Sequence, residues 1–314
     1  MKHPLSARWL PYSVLALAIV FPVAAGAFGG GYYIGFATRV MIYALAASSL
    51  NLVLGYGGMI SFGHAAFFGA GAYTVAVLAR EGVVSALLAW PLAAAVSALA
   101  ALVIGAISLR TRGLYFIMIT LAFAQMLYYF FISLATYGGE DGINLAARSR
   151  LPGLDLKDDV SFYFVVLLLL AGALYLLKRI TASRFGAVLD GIRENEARMT
   201  ALGYATYRYR LVCFVIAGGI AGLAGAMIAN QNGFVSPNLL HWTQSGTLLV
   251  MLILGGVGLL YGGVVGAVAL LVLEEVLSSY TEHWKLIVGC VLLLVVLRAP
   301  RGIGGWFLRR EPHG

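Results

Sequence analysis

The chain reads as an all-α polytopic membrane protein, and three observations carry that reading. Of its 314 residues, 61% are hydrophobic and only 11% charged, which does not describe a water-facing surface. Uninterrupted charge-free runs cover 9–38, 40–79, 82–109, 113–139, 160–177 and 211–273, where about 20 apolar residues suffice to cross a bilayer. Glycines and other turn residues then divide those runs into segments of helical length. This composition excludes a soluble enzyme, a nucleic-acid binder and a secreted disulfide scaffold.

The predicted helices fall near 9–28, 33–55, 60–79, 85–108, 114–135, 160–178, 210–229, 243–257, 262–279 and 285–298, about ten membrane-embedded helices in one domain, 1–314. The eighth and tenth are short for spans. The first follows Lys2 and Arg8 and ends at Ala25-Gly26-Ala27, a pattern that also imitates a cleavable signal peptide; its length favours a retained span. An even count places both termini on one side. With that side cytoplasmic, 15 of the 21 Lys and Arg residues fall inside, among them Arg110, Arg112, Lys178, Arg179, Arg208 and Arg210, as the positive-inside rule requires. The net charge of +8 is thus read as orientation. Cys213 and Cys290 lie in apolar runs and read as small core residues.

Two loops break the apolar pattern. The external loop 137–159 carries Glu140, Asp141, Asp155, Asp158 and Asp159 and is suited to face a soluble partner. The cytoplasmic loop 179–210 is the most polar stretch. Ser183 is a plausible N-cap, Ala187, Val188, Ile192 and Met199 recur at helical spacing, and Gly203 is a plausible stop, so one or two short amphipathic helices are expected. A solvated connector rich in positive charge is the plainer reading. Against it stands the mixture Arg193-Glu194-Asn195-Glu196, which orientation alone does not require.

The chemistry of an energy source is missing. No lysine ends a phosphate-binding Gly-rich loop, and ionisable side chains at membrane depth are nearly absent; Arg39, Glu274 and Glu275 lie close enough to the outer surface to reach it. The five histidines show no metal-ligand spacing, and nothing completes a nucleophile–base pair around His64. Uphill transport would therefore draw its free energy from another chain, docked on the polar loop. A self-powered secondary transporter or channel, and then an intramembrane enzyme, are the remaining classes.

Glycine is plentiful, 39 residues where an average usage of ~7% implies about 22. Gly55, Gly57, Gly58, Gly63, Gly69 and Gly71 form one cluster, and Gly255, Gly256, Gly258, Gly262, Gly263 and Gly266 another. Close packing and hairpin turns are the plainer explanation, while broken helices that offer backbone N–H groups to an anionic solute are the functional one. Asn51, Ser61 and His64 add hydrogen-bonding groups to the first cluster, although a lone buried His64 is more often a satisfied packing residue. Gly218, Gly222 and Gly225 form a small-residue stripe read as helix packing.

The stretch Asn51–Tyr73, NLVLGYGGMISFGHAAFFGAGAY, resembles the early signature of the branched-chain amino-acid ABC transporter permeases of the LivM type. Arg112–Leu121 with Gly138–Gly142, Ser183–Gly186 with Ile192–Ala197 and Gly203, and Gly255–Gly258 with Tyr261–Gly263 and Ala299–Gly302 are similar to that family's later markers. The resemblance runs from about 40 to 303. It implies an importer subunit of the bacterial inner membrane, not itself an enzyme. Its partners would be a LivH-type permease, two cytoplasmic ATPases that hold ATP and Mg, and a periplasmic solute-binding protein. No cofactor, metal or nucleic acid is expected on this chain.

The implied solutes are branched-chain or other small neutral amino acids, with urea, amides and organic acids as relatives' alternatives. The resemblance also makes the polar loop the segment that docks on the ATPases, through Ser183, Arg184, Phe185, Gly186, Arg193, Glu194, Asn195, Glu196, Ala197 and Gly203. Arg198 departs from the motif's second Ala, and Gly203 falls one residue late. In that scheme Asn51, Gly57, Gly58, Ser61, Gly63, His64 and Thr120 border the solute's route.

Overall fold

The computed structural model describes residues 18–22, 31–145, 147–299 and 302–307. The candidate first span, apart from a short helical piece at 18–22, both termini and the Ala25-Gly26-Ala27 site lie outside the described residues. The helices are α1 (Gly31–Asn51), α2 (His64–Arg80), α3 (Ala86–Ser108), α4 (Leu114–Ser133), α5 (Asp159–Thr181), α6 (Arg184–Glu194), α7 (Glu196–Ala201), α8 (Thr206–Asn232), α9 (Trp242–Gly255), α10 (Gly262–Tyr280), α11 (Trp284–Arg298) and a short α12 (Gly304–Phe307). Six of the described helices, α1 (carried on to Tyr56), α3, α4, α5, α8 and α10, are long and apolar enough to cross a membrane.

Small residues decide how these helices meet. The α8 stripe packs within this chain, between α2 and α3. A Cβ on Gly225 would stand 1.8 Å from the Phe68 carbonyl oxygen, and one on Gly222 2.1 Å from Ser97 Oγ. Ser97 in turn donates to the Phe67 carbonyl at 2.9 Å, so three backbones are held at a distance that only glycine and serine permit. On the other side of the bundle α10 lies against α1 and α9. A Cβ on Gly263 would meet Ser48 N at 2.6 Å, and one on Gly266 the Met251 carbonyl at 1.6 Å. Central α1 is buried along most of its length, whereas α4 keeps a narrow buried strip of Phe116, Thr120 and Ala124.

Contacts sort the loops to two ends. At one end, here the loop end, Tyr207 Oη donates to the Ala106 carbonyl at 2.9 Å and Asn51 meets the 256–261 turn. At the far end, Arg150 N donates to the Val84 carbonyl at 2.6 Å. There Ile143–Asn144 (β1) pairs antiparallel with Phe234–Val235 (β2), a two-strand ribbon that the purely helical reading omitted. Arg148 ties down the acidic loop, binding Asp159 at 2.7 Å and the Leu156 carbonyl at 3.1 Å.

Two segments position the site. The first glycine cluster reverses the chain, because Ser49 touches His64 while Tyr43 touches Phe68, so α1 and α2 run antiparallel. The shortness of α9 also has a cause. After β2 the chain passes through a single 3-10 turn, Pro237–Leu239, until Leu240 fills the space over Gly69, where a Cβ would meet Leu240 Cγ at 2.4 Å. Gly69 lies ~16 Å along α2 from Arg80, at the 1.5 Å rise of an α-helix, so α9 starts well inside the bundle and runs only to the loop end.

Candidate functional site

Most of the residues singled out from the sequence converge on the loop end, around the α1–α2 reversal. The C-terminus of α1 widens over Leu52–Tyr56 into a turn with i→i−5 bonding, including Gly57 N to the Leu52 carbonyl at 3.0 Å. Gly58 then adopts a φ of +66°, the left-handed conformation that commonly ends a helix and suits glycine.

The tighter of the two usual endings, the Schellman motif, would send the Gly58 N–H to the Gly55 carbonyl and the Met59 N–H to that of Leu54. Here each bond reaches one residue further back, Gly58 to Leu54 at 3.2 Å and Met59 to Val53 at 3.0 Å. The Gly55 carbonyl is left for a side chain, and Arg193 of α6 donates to it. A bond from a charged donor is worth ~1.5–3 kcal/mol, more than the ~0.3–1 kcal/mol of a cation's attraction to a helix C-terminus, so the specific bond dominates.

The second glycine cluster closes on the same turn. Asn51, 2% exposed, accepts from Gly258 N at 2.9 Å and donates to the Leu259 carbonyl at 2.6 Å. Gly55 is required here: a Cβ would stand 2.2 Å from Asn51 Oδ1 and 2.6 Å from Gly258 N. The two clusters, 200 residues apart in sequence, form one joint.

Between Gly57 and His64 the chain has no regular structure, and side-chain hydroxyls hold its end and the start of α2. Phe62 N donates to Thr120 Oγ1 at 3.2 Å, Gly63 N to Ser61 Oγ at 3.2 Å and Ala65 N to Ser245 Oγ at 2.8 Å. In this conformation these three N–H groups are taken by the chain's own hydroxyls. His64 is fully buried, with Nε2 2.8 Å from Ser49 Oγ. Because the Ser49 proton is directed to the Ala46 carbonyl at 2.7 Å, Nε2–H is the donor of that pair. Ser49 and Ser245 were not picked out from the sequence. Both share apolar helices with other hydroxyls, Ser48 beside Ser49 and Thr243 and Thr247 beside Ser245, and only their contacts distinguish them.

The polar loop forms two helices joined at Asn195, which caps α7 by accepting from Arg198 N at 2.9 Å. Ser183 caps α6, accepting from Gly186 N at 3.5 Å. Gly186 lies against the end of α5, where a Cβ would be 2.1 Å from the Thr181 carbonyl, and Phe185 stacks on Tyr209. Gly203, at φ +87°, ends the segment. Arg184, Glu194, Ala197 and Gly203 are exposed.

Glu196 faces inward. It binds Arg210 at 2.9 Å and Arg112 at 3.5 Å, and Thr206 Oγ1 lies at 3.4 Å. Arg193 likewise has an intrahelical partner, Asp190 at 3.0 Å. Of the charges expected at the ATPase, Arg193 and Glu196 thus also have partners within the chain; Arg112 and Arg210, counted from the sequence only toward orientation, and Asp190, not singled out there, are members of the site.

Stacked apolar helices, a buried glycine joint and a polar helix pair seated on it define a polytopic membrane permease. The family description that matches residues 32–297 is the branched-chain amino acid transport system permease component, and the chain belongs to that family. It is 30% identical to the high-affinity branched-chain amino acid transport system permease protein LivM of Salmonella typhimurium, over 92% of this chain and 72% of that protein. The Escherichia coli K12 LivM is 29% identical over the same shares. The autoinducer 2 import system permease protein LsrC of Klebsiella pneumoniae is 34% identical over 43% of this chain and 40% of its own. No solved structure matches.

Proposed function

We propose that the chain is one membrane half of an ATP-driven importer for branched-chain or other small neutral amino acids. It would sit in a bacterial inner membrane, with about ten membrane-embedded helices and both termini on the cytoplasmic side. The observation that carries this reading is the α6–α7 segment: the chain's most polar stretch, seated on the joint between the two glycine clusters, in a family of permease components. Such a segment is where separate ATPases, binding ATP and Mg, would grip a chain that has no nucleotide loop of its own.

Orientation follows from charge. The loop end gathers Arg110, Arg112, Lys178, Arg179, Arg184, Arg198, Arg208 and Arg210, which favours the cytoplasmic face. A LivH-type permease would complete the pathway, with Asn51, Gly57, Gly58, Ser61, Gly63, His64 and Thr120 at its border, and a binding protein would deliver solute to the far end. Similarity to the LsrC permease supports the permease class, and the binding protein sets the solute within it.

Liposomes holding this chain, the second permease and the ATPases, supplied with binding protein and internal ATP, are expected to accumulate labelled leucine. Accumulation by this chain alone, or without ATP, would refute the reading. Thermal stabilisation of the binding protein by urea or an organic acid, and not by leucine, would move the solute class.

A further inference from the structure

The helix α6 buries Val188, Leu189 and Ile192, and apolar contacts slide because they have no preferred direction. Arg193 is different. Its guanidinium is held at one side by Asp190 and at the other by the Gly55 carbonyl. Its stem lies along Gly58, where a Cβ would come within 2.7 Å of Arg193 Cγ. The grip therefore combines a directional bond with a shape that only a glycine admits.

The carbonyl it grips has a second suitor. If Arg193 withdraws, the Gly58 N–H can move from the Leu54 carbonyl to that of Gly55, and the Met59 N–H from Val53 to Leu54, which is the tighter, Schellman ending for a left-handed glycine. The widened turn and the tight one differ by a one-residue shift of two bonds. Each leaves the backbone donors satisfied, so the turn is a two-state element of the kind that coupling requires. A change there is passed on, because Gly55 abuts Gly258 and Asn51 holds the Gly258 N–H and the Leu259 carbonyl.

We propose that Arg193 is the positioning residue that sets this turn: engaged, it holds α1 wide at its end, and pulled away with α6, it lets the turn tighten and shift the α9–α10 joint. The role of α6 as the moving part rests on the importer reading above.

The test uses the assembled transporter in liposomes with R193Q, R193K and G58A, reading leucine imported per ATP hydrolysed and copurification of the ATPases. R193Q and G58A are expected to keep the ATPases bound yet import at least tenfold less per ATP, with R193K recovering part through its ammonium, which keeps the charge but not the planar fork. Unchanged import per ATP in R193Q overturns the proposal. So does loss of the ATPases from R193Q, which would make the residue a docking contact.

A second readout needs no transport. A spin label at exposed Ile60, introduced as I60C with Cys213 and Cys290 replaced by alanine, is expected to change mobility on R193Q substitution. An unchanged spectrum overturns the proposal whatever the solute. Failure of the importer reading appears separately, as wild-type liposomes that accumulate leucine without ATP.

Discussion

The carboxamide of Asn51 accepts the Gly258 N–H at 2.9 Å while its NH2 donates to the Leu259 carbonyl at 2.6 Å, so one side chain completes a turn more than 200 positions away. N51A would orphan both groups in a buried site, at about 1–3 kcal/mol for each. N51D would keep the acceptor but lose the donor and add a buried charge. Both are expected to lower the thermal midpoint of the detergent-solubilised permease, N51D at least as much as N51A at neutral pH. A midpoint equal to wild type would show that the joint does not depend on this side chain.

Glycines on α8 and α5 should respond oppositely to the same change. G225A forces a methyl to within 1.8 Å of the Phe68 carbonyl, backbone that cannot step aside, and overpacking of this sort costs ~1–3 kcal/mol or more. G172A on α5 meets nothing within 4 Å and should gain part of the ~1 kcal/mol by which alanine exceeds glycine in a helix. The monomer peak surviving a heat step on size exclusion would fall for G225A and hold or rise for G172A.

Glu196 is the anchor of α7, with side-chain exposure of 17% against 16% for Arg210. E196K puts a third cation beside Arg112 and Arg210, so transport should be lost through unseating of α7. The exchange E196R/R210E restores opposite charges at the 2.9 Å pair and should recover ATPase copurification and part of uptake, which neither single variant does. Equal defects in the double and single variants would place the role of Glu196 outside this ion pair.

The far end offers a pH test. Asp158 caps α5, and the hydrogen bonds it accepts from the Ser161 N–H and hydroxyl, 3.0 Å each, hold its carboxyl below the usual carboxylate range. Lowered folded-state affinity for protons means that its stabilisation is present above the unfolded value of about 3.9 and is lost as pH falls through the lower folded value. D158A should cost about 1 kcal/mol at pH 7, D158N much less, and the gap between wild type and D158A should narrow below pH 4. A gap independent of pH would mean that the carboxylate is not what caps the helix.

How much of this was legible beforehand depends on whether the signal is local. The predicted helix 85–108 appears as Ala86–Ser108, 262–279 as Gly262–Tyr280 and 285–298 as Trp284–Arg298, because charges and glycines end hydrophobic runs within a residue or two of where the helices stop. Ser183, Asn195 and Gly203 mark a polar helical pair for the same reason: capping is a matter of three neighbouring residues. The re-entrant approach to α9, the β1–β2 ribbon and the inward turn of Arg193 and Glu196 had no comparable signal. Each depends on a partner 10 to 171 positions away, and no periodicity records which face of a short polar helix will be covered.

Hydropathy and spacing alone thus determined a bundle of apolar helices with one polar segment and glycine wherever backbones must approach. Burial of apolar surface is a property of each stretch of chain, readable without the others. Tertiary structure alone decided that the two glycine clusters share a single joint, and that the charges of the polar segment close upon it. Hydrogen bonds are short and directional, so which carbonyl meets which guanidinium is settled only when the helices are in place.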